Sequence, residues 1–109
     1  MYDLKVISLE NCPYSINIEK LLKHNKIKHN LIRVSAEEKD KFKTNKINTF
    51  PQFYLEKNKQ TILLGGNNDL KEILEISKNK KLNEMVINLN KKFPELEKKI
   101  LLRILELFI

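Results

Sequence analysis

The chain of 109 residues contains little cysteine, glycine, proline and tryptophan, residues whose numbers help to assign a sequence to a structural class. It contains one cysteine, two glycines, three prolines and no tryptophan. A single cysteine excludes an intramolecular disulfide and a multi-cysteine zinc site. No apolar run approaches the roughly 20 residues that a membrane-spanning helix needs. We therefore expect one domain with one modest core, in a reducing compartment and without a membrane span.

The chain has an excess of positive charge, and its basic residues are scattered along the sequence. Its 21 Lys and Arg residues outnumber its 14 Asp and Glu residues, which gives a net charge of +7. A nucleic-acid surface usually shows a local basic patch with arginine or stacking aromatic residues, and these lysines form none. Nucleic-acid binding is therefore not expected, although the charge would attract small anions. The N-terminus has the pattern of a strand and not of a signal peptide, so we expect a cytoplasmic protein.

Hydrophobic periodicity predicts alternating strands and helices. Residues 4–9 form a short, β-branched-rich strand pattern, and Pro13 opens a helical pattern that continues to about residue 26. Ser35 and Glu38 have the spacing of a capping box, which predicts a second helix with Phe42 as its main buried side chain. Further strands are predicted within residues 27–34, 49–55 and 61–64, and a helix after residue 67. The order β-α-β-α-β-β-α predicts an α/β protein with a mixed sheet.

The last part of the chain has a different character. From Pro94 onward the pattern predicts an additional amphipathic helix. Its predicted apolar face consists of Leu96, Ile100, Ile104, Leu105, Leu107 and Phe108. Two interpretations stay open for residues 94–109: the helix packs onto its own domain, or it forms a homodimer or a contact with another partner.

Cys12 is the main candidate for chemistry. It lies between the first predicted strand and the first predicted helix, directly before Pro13. Its sulfur would face the first free N–H groups and the positive end of the helix dipole, which favour the thiolate. The thiolate is the form that attacks disulfides. The alternative is an inert buried cysteine that packs as a small apolar side chain.

Three segments of the sequence together carry a family resemblance. Cys12-Pro13-Tyr14-Ser15 resembles the Cys-Pro-Tyr-Cys site of glutaredoxins. Thr49-Phe50-Pro51 is similar to the family's Thr-Val-Pro, in which the proline is cis, and residues 65–70 are similar to its Gly-Gly-x-x-Asp-Leu. The resemblance covers about residues 4–90. It implies a thioredoxin-like fold, in which helices flank a mixed four-stranded sheet, over residues 1–92, with residues 93–109 as a helical extension.

The resemblance also implies an activity and its residues. The chain would be a glutathione-dependent oxidoreductase, with Cys12 as the nucleophile and glutathione as co-substrate. Phe50 would offer its backbone to the cysteinyl part of glutathione, and Pro51 would hold that backbone near the thiol. The helix start at Asn68 and Asp69 would hold the γ-glutamyl end. The implied glutathione-binding residues are Tyr14, Thr49, Phe50, Pro51, Gly66, Asn67, Asn68 and Asp69.

Two departures from the family pattern bear on this activity. Ser15 stands in place of the second cysteine, which leaves a monothiol route for reducing glutathione mixed disulfides. Leu9 stands where the family usually has a lysine, which predicts weaker glutathione binding or a smaller thiolate fraction at Cys12. The lysines that could substitute for it are Lys39, Lys43 and Lys46.

Two other functions stay open at the level of sequence. A homodimer could hold a [2Fe–2S] cluster through two Cys12 thiolates and two glutathiones. Tyr14 and Phe50 differ, however, from the Cys-Gly-Phe-Ser and Trp-Pro segments of the cluster-carrying branch of the family. Alternatively, the chain is a redox-inactive interaction module. Because neither His24 nor His29 has metal-ligand spacing to Cys12, no other metal site is expected.

Overall fold

The computed structural model describes all 109 residues. They divide into two compact units, Met1–Leu70 and Lys71–Ile109. The predicted division into residues 1–92 and 93–109 stays a prediction. None of the helices has the length and apolar character needed to cross a membrane.

In chain order, the elements are β1 (Asp3–Leu9), α1 (Pro13–His24), β2 (Asn30–Val34), a short 3-10 helix (Lys39–Phe42), β3 (Gln52–Lys57), β4 (Gln60–Gly65), α2 (Asn67–Ser77), α3 (Leu82–Lys92) and α4 (Lys98–Phe108).

The first unit is built on a mixed sheet with the strand order β2-β1-β3-β4. β1 pairs in parallel with β2, with Val6 opposite Leu31. It pairs antiparallel with β3, with Ile7 opposite Gln52. β3 and β4 form an antiparallel hairpin. This topology confirms the predicted thioredoxin-like fold class, with its parallel βαβ half and its terminal hairpin.

The side chains of β1 fit its central place in the sheet. Leu4 and Val6 are fully buried, and Ile7, which points to the other face, is 5% exposed. Burial on both faces is typical of a strand covered on both sides. On β3, Phe53 and Leu55, which share one face of the sheet, are also buried. The alternation of core residues on these two strands therefore defines the core of the first unit.

Helix α1 follows the predicted pattern closely. Pro13 occupies its first turn, where the missing N–H costs no helical hydrogen bond. Ile18 and Leu22, one turn apart, are both fully buried. The helix ends at His24, and the N–H of Asn25 donates to the carbonyl of Leu21 at 3.0 Å. The predicted start and end of this helix are confirmed.

The helix predicted from Ser35 is only a 3-10 turn. The Ser35 hydroxyl bonds to the Glu38 carboxylate at 3.3 Å and caps no backbone N–H, so the capping box does not form. The N–H of Glu38 donates instead to the Ser35 carbonyl. Phe42, predicted to be the main buried side chain of this helix, is only half-buried, against a core cluster. Because it is the only large apolar side chain between residues 36 and 46, no amphipathic face stabilises a longer helix.

The region from residue 67 to residue 92 holds two helices where the predicted order has one. At the end of α2, the Ser77 hydroxyl donates to the Leu74 carbonyl, and the N–H groups of Lys78 and Asn79 close short turns. The Asn79 side chain then accepts the N–H of Lys81 at 2.8 Å, directly before α3. These local polar bonds replace the regular helical ladder and separate α2 from α3.

The C-terminal helix exists, but it begins later than predicted. Residues 94–97 form a turn in which the N–H of Leu96 donates to the Phe93 carbonyl at 3.1 Å, and α4 begins at Lys98. The start predicted at Pro94 is therefore wrong. The buried side chains of α4 are Leu101, Ile104, Leu105 and Phe108. Leu101 was absent from the predicted face, although its spacing of three, four and seven positions from Ile104, Leu105 and Phe108 places it on the same side of the helix.

An ionic link in the first unit connects three of its elements. The Ser8 hydroxyl on β1 donates to one carboxylate oxygen of Glu19 on α1 at 2.6 Å. Arg33 on β2 donates to the other oxygen at 2.8 Å. The hydrogen bond from Arg33 is the main cause that lowers the pKa of Glu19, desolvation opposes it, and the Ser8 hydrogen bond adds to the lowering. Glu19 is thus stabilised as a carboxylate in the folded state.

This link predicts a pH-dependent loss of stability in Glu19→Gln. Because the folded-state pKa of Glu19 is lowered, its contribution is present above the unfolded value of roughly 4.3 and disappears as the pH falls through the folded value. At pH 7 we expect the variant to lose about 1 kcal/mol of unfolding free energy, since the group is partly exposed. Urea unfolding between pH 3 and pH 7 measures this. The matched control is Glu37→Gln, an exposed acid, and a loss in Glu19→Gln that stays constant with pH would contradict the prediction.

Candidate functional site

Cys12 lies where the sheet meets the first helix. It is the N-cap residue of α1, with an extended backbone, three residues after the end of β1. Its side chain is half-exposed and free of any disulfide. No side chain caps the helix N-terminus, and no acidic residue lies in its first turn. The positive end of α1 therefore remains uncompensated next to the sulfur, an arrangement that suits a negative charge.

The three segments predicted to form the site leave the sheet at one end. β1 ends at Leu9, and its antiparallel partner β3 begins at Gln52. β4, antiparallel to β3, ends at Gly65, which lies opposite Phe53. The segment before β3 and the turn after β4 therefore lie at the end of the sheet where β1 leads into Cys12.

The segment before β3 combines a cis peptide bond with partial burial. The Phe50–Pro51 bond is cis, and both residues are buried, while Thr49 is exposed. The Phe50 ring packs with Ile7 and Val34 in a core cluster. The backbone N–H and C=O of Phe50 take part in none of the hydrogen bonds of the loops. Backbone N–H and C=O groups that have no hydrogen-bond partner can pair with an extended peptide.

The glycine turn packs directly against this segment. A Cβ on Gly66 would lie 3.6 Å from the carbonyl oxygen of Pro51 and 3.8 Å from the hydroxyl oxygen of Thr49. Gly65 has a φ of +131°, and a Cβ there would collide with the Asp69 side chain. One Asp69 carboxylate oxygen accepts the N–H of Gly66 at 2.8 Å. Asp69 thus has a structural role in holding the turn, which the sequence pattern does not reveal.

The start of α2 offers one polar atom without a partner. The side-chain oxygen of Asn67 is buried and accepts no hydrogen bond, while its nitrogen donates weakly to Asn68 at 3.4 Å. Asn68 itself is exposed. A buried acceptor without a partner is costly, and an N–H donor of a ligand would satisfy it. Nothing in the sequence distinguishes Asn67 from Asn68, because only the tertiary structure decides which of them is buried.

Ser15 and Leu9 have packing roles at this site. Ser15 is fully buried, and its hydroxyl oxygen accepts the backbone N–H of Leu9 at 3.0 Å. Leu9 itself packs against the cluster that contains Phe50. Ser15 therefore anchors the end of β1 directly before Cys12. Sequence reasoning missed this contact, because two residues six positions apart reveal no such bond in their pattern.

The remaining predicted residues are more exposed. Tyr14, two positions after Cys12, is 63% exposed. Among the lysines that could replace the family's lysine, where this chain has Leu9, Lys43 forms an ion pair with Asp40 at 3.0 Å.

No three His, Cys, Asp or Glu side chains converge in a way that could hold a metal ion. Since the chain has one cysteine, each copy could contribute only the Cys12 sulfur to an iron–sulfur cluster.

Comparison with known proteins decides the family. Residues 4–59, just over half of the chain, match the model of the Glutaredoxin family. The chain belongs to the glutaredoxin family. Glutaredoxins are in general thiol oxidoreductases that use glutathione as co-substrate. The match includes Cys12 and the Phe50–Pro51 bond and ends before the glycine turn, and no curated protein matches the chain significantly.

The two glycines predict unequal costs of substitution. Gly65→Ala places a side chain at positive φ and against Asp69, and we expect a loss of about 2 kcal/mol in unfolding free energy. Gly66→Ala meets only ordinary contacts and should cost less than about 1 kcal/mol. Urea unfolding of the two variants side by side measures the difference. Equal losses would show that the Gly65–Asp69 contact does not constrain the turn.

Proposed function

We propose that this glutaredoxin is a monothiol enzyme that removes glutathione from mixed disulfides through Cys12. The observation that carries the proposal is the placement of Cys12. It is half-exposed at the uncapped N-terminus of α1, at the end of the sheet from which the Phe50–Pro51 segment and the glycine turn also leave. A thiolate at this place has a positive helix end beside it and peptide-binding backbone nearby.

The surroundings of Cys12 suit glutathione as the bound thiol. The free backbone groups of Phe50 support antiparallel pairing with the cysteinyl unit. The buried oxygen of Asn67 is an acceptor for the ammonium of the γ-glutamyl unit. The N-terminus of α2, which begins at Asn67, suits the adjoining carboxylate. Gly66 leaves room beside Thr49 and Pro51 for the ligand backbone to approach.

The reaction follows from thiol–disulfide exchange. The Cys12 thiolate attacks the glutathione sulfur of a mixed disulfide, so that a Cys12–glutathione disulfide forms and the former partner leaves as a thiolate. A second glutathione thiolate then attacks the glutathione sulfur on Cys12. Oxidised glutathione leaves, and the Cys12 thiolate is regenerated. The cycle consumes reduced glutathione and therefore belongs in a reducing compartment such as the cytosol.

Ser15 supports the one-thiol route. It has no sulfur with which to resolve a disulfide on Cys12, and its hydroxyl already accepts the N–H of Leu9. It is also fully buried. A protein disulfide captured on Cys12 must therefore be released by a thiol from outside the chain, which makes glutathione both substrate and reductant.

The proposal predicts that Cys12→Ser abolishes the activity. With a glutathionylated peptide and reduced glutathione, we expect wild-type turnover to exceed that of Cys12→Ser at least about a hundredfold, since serine is a far weaker nucleophile. Mass spectrometry after exposure to oxidised glutathione should show one adduct on Cys12, which reduced glutathione removes.

Ser15→Ala is the matched control for that experiment. It removes the acceptor for Leu9 and should lower the unfolding free energy by about 1 kcal/mol, yet it should still form the Cys12 adduct. Wild-type turnover that is no faster than that of Cys12→Ser would contradict the proposal. So would a failure of wild-type Cys12 to form the adduct.

A further inference from the structure

The second unit has an apolar surface that its own helices leave uncovered. α3 and α4 are joined by a five-residue connection, Phe93 to Glu97. The beginning of α3 at Leu82 lies beside Ile109, the residue directly after α4, so the two helices run antiparallel. Between them lies the α3/α4 groove, whose apolar lining is Leu82, Val86, Ile87, Leu102, Leu105 and Ile109.

Several of these side chains are open to solvent. Leu82 and Ile87 are each 55% exposed, and Ile109 is 76% exposed. These three are among the seven large apolar side chains exposed in the chain. A contiguous apolar surface of this kind is typical of a protein–protein interface.

Two charges mark the ends of the groove. Lys98 lines it near the start of α4, and Glu106 lines it near the end. Lys98 lies four positions before Leu102, and Glu106 lies four positions after it. Lys98 forms no ion pair within the chain, whereas one oxygen of Glu106 is bonded to Arg103 at 3.2 Å. The groove therefore carries one cation and one anion in a self-complementary arrangement.

We propose that a second copy of this chain covers the α3/α4 groove, with the two α4 helices packed antiparallel around a two-fold axis near Leu102. In this arrangement Lys98 lies opposite Glu106 of the second copy, and the reciprocal pair forms on the other side of the axis. A two-fold interface of this type uses the same patch on both copies, so one unpaired cation and one anion suffice for two ion pairs. A parallel arrangement would place Lys98 next to the same lysine and is disfavoured.

The spacing of the groove residues on α4 fits helix–helix packing. Lys98, Leu102, Leu105 and Ile109 follow one another at intervals of four, three and four positions. This is the spacing of the contact seam between two packed helices. With α3 flanking each α4, two chains would form a four-helix assembly that covers Leu82 and Ile87 as well.

The test begins with the mass of the full chain in solution. Sedimentation equilibrium of Cys12→Ser protein, without iron or glutathione, excludes a dimer that depends on the thiol. We expect a species of twice the 13.0 kDa of one chain, whose share rises with concentration. A monomer at all concentrations up to about 100 µM, a dissociation constant that corresponds to about 5.5 kcal/mol, would overturn the proposal.

Charge exchange then tests the interface itself. Lys98→Glu and Glu106→Lys each place like charges together on both sides of the axis, and each should raise the dissociation constant at least about tenfold. An equimolar mixture of the two variants restores opposite charges in both pairs, so it should form a heterodimer that neither variant forms alone. The matched control is Lys91→Glu, an exposed lysine of α3 outside the groove lining, which should dimerise as the wild type does.

These outcomes separate the proposal from its alternatives. Dimerisation that Lys98→Glu leaves unchanged, or a mixture that forms no heterodimer, would overturn it. If either single variant fails to fold by circular dichroism, the double variant Lys98→Glu with Glu106→Lys replaces it, and a monomeric double variant would likewise overturn the proposal. The result does not depend on the proposed activity, because Cys12 is absent from the protein used.

Discussion

Strand β1 pairs on both edges, in parallel with β2 and antiparallel with β3, and this double pairing determines where the chemistry lies. A strand in this position must present apolar side chains to both faces, as Leu4, Val6 and Ile7 do. Because β3 runs opposite to β1, its start lies where β1 ends. Cys12 and the Phe50–Pro51 bond are thereby brought to one end of the sheet, although 38 positions separate Cys12 from Phe50. The hairpin to β4 adds the glycine turn at the same end.

Contacts that have no part in the proposed chemistry maintain this end of the sheet. The Ser15 hydroxyl holds the N–H of Leu9, and the Asp69 carboxylate holds the N–H of Gly66. Each satisfies a backbone donor at the end of a strand, β1 in the first case and β4 in the second. The groups left without protein partners are then the backbone of Phe50 and the side-chain oxygen of Asn67. Anchored loops with a few free polar groups between them are a suitable framework for a peptide-like thiol.

The two units present different kinds of surface. In the first unit, the proposed site is polar and depends on backbone groups and one sulfur. In the second unit, α3 and α4 expose Leu82, Ile87 and Ile109 along a groove with a charge at each end. The first is suited to a small thiol substrate, and the second to another helix. A glutaredoxin with both features would combine a redox reaction with self-association through the α3/α4 groove.

The sequence by itself determined the order of the four strands, helix α1 after the first of them, the position of Cys12 before Pro13 and the family. These properties depend on local periodicity, on the proline at the first turn of α1 and on short motifs, which a single chain shows directly. Only the tertiary structure decided that Ser35 and Glu38 start no regular helix, that α2 ends at Ser77 and that α4 begins at Lys98. Tertiary structure likewise decided that Asp69 holds the glycine turn and that the Asn67 oxygen is buried without a partner. Helix ends and side-chain partners depend on competition between local hydrogen bonds and packing with residues distant in sequence, and a linear pattern contains only the first of these.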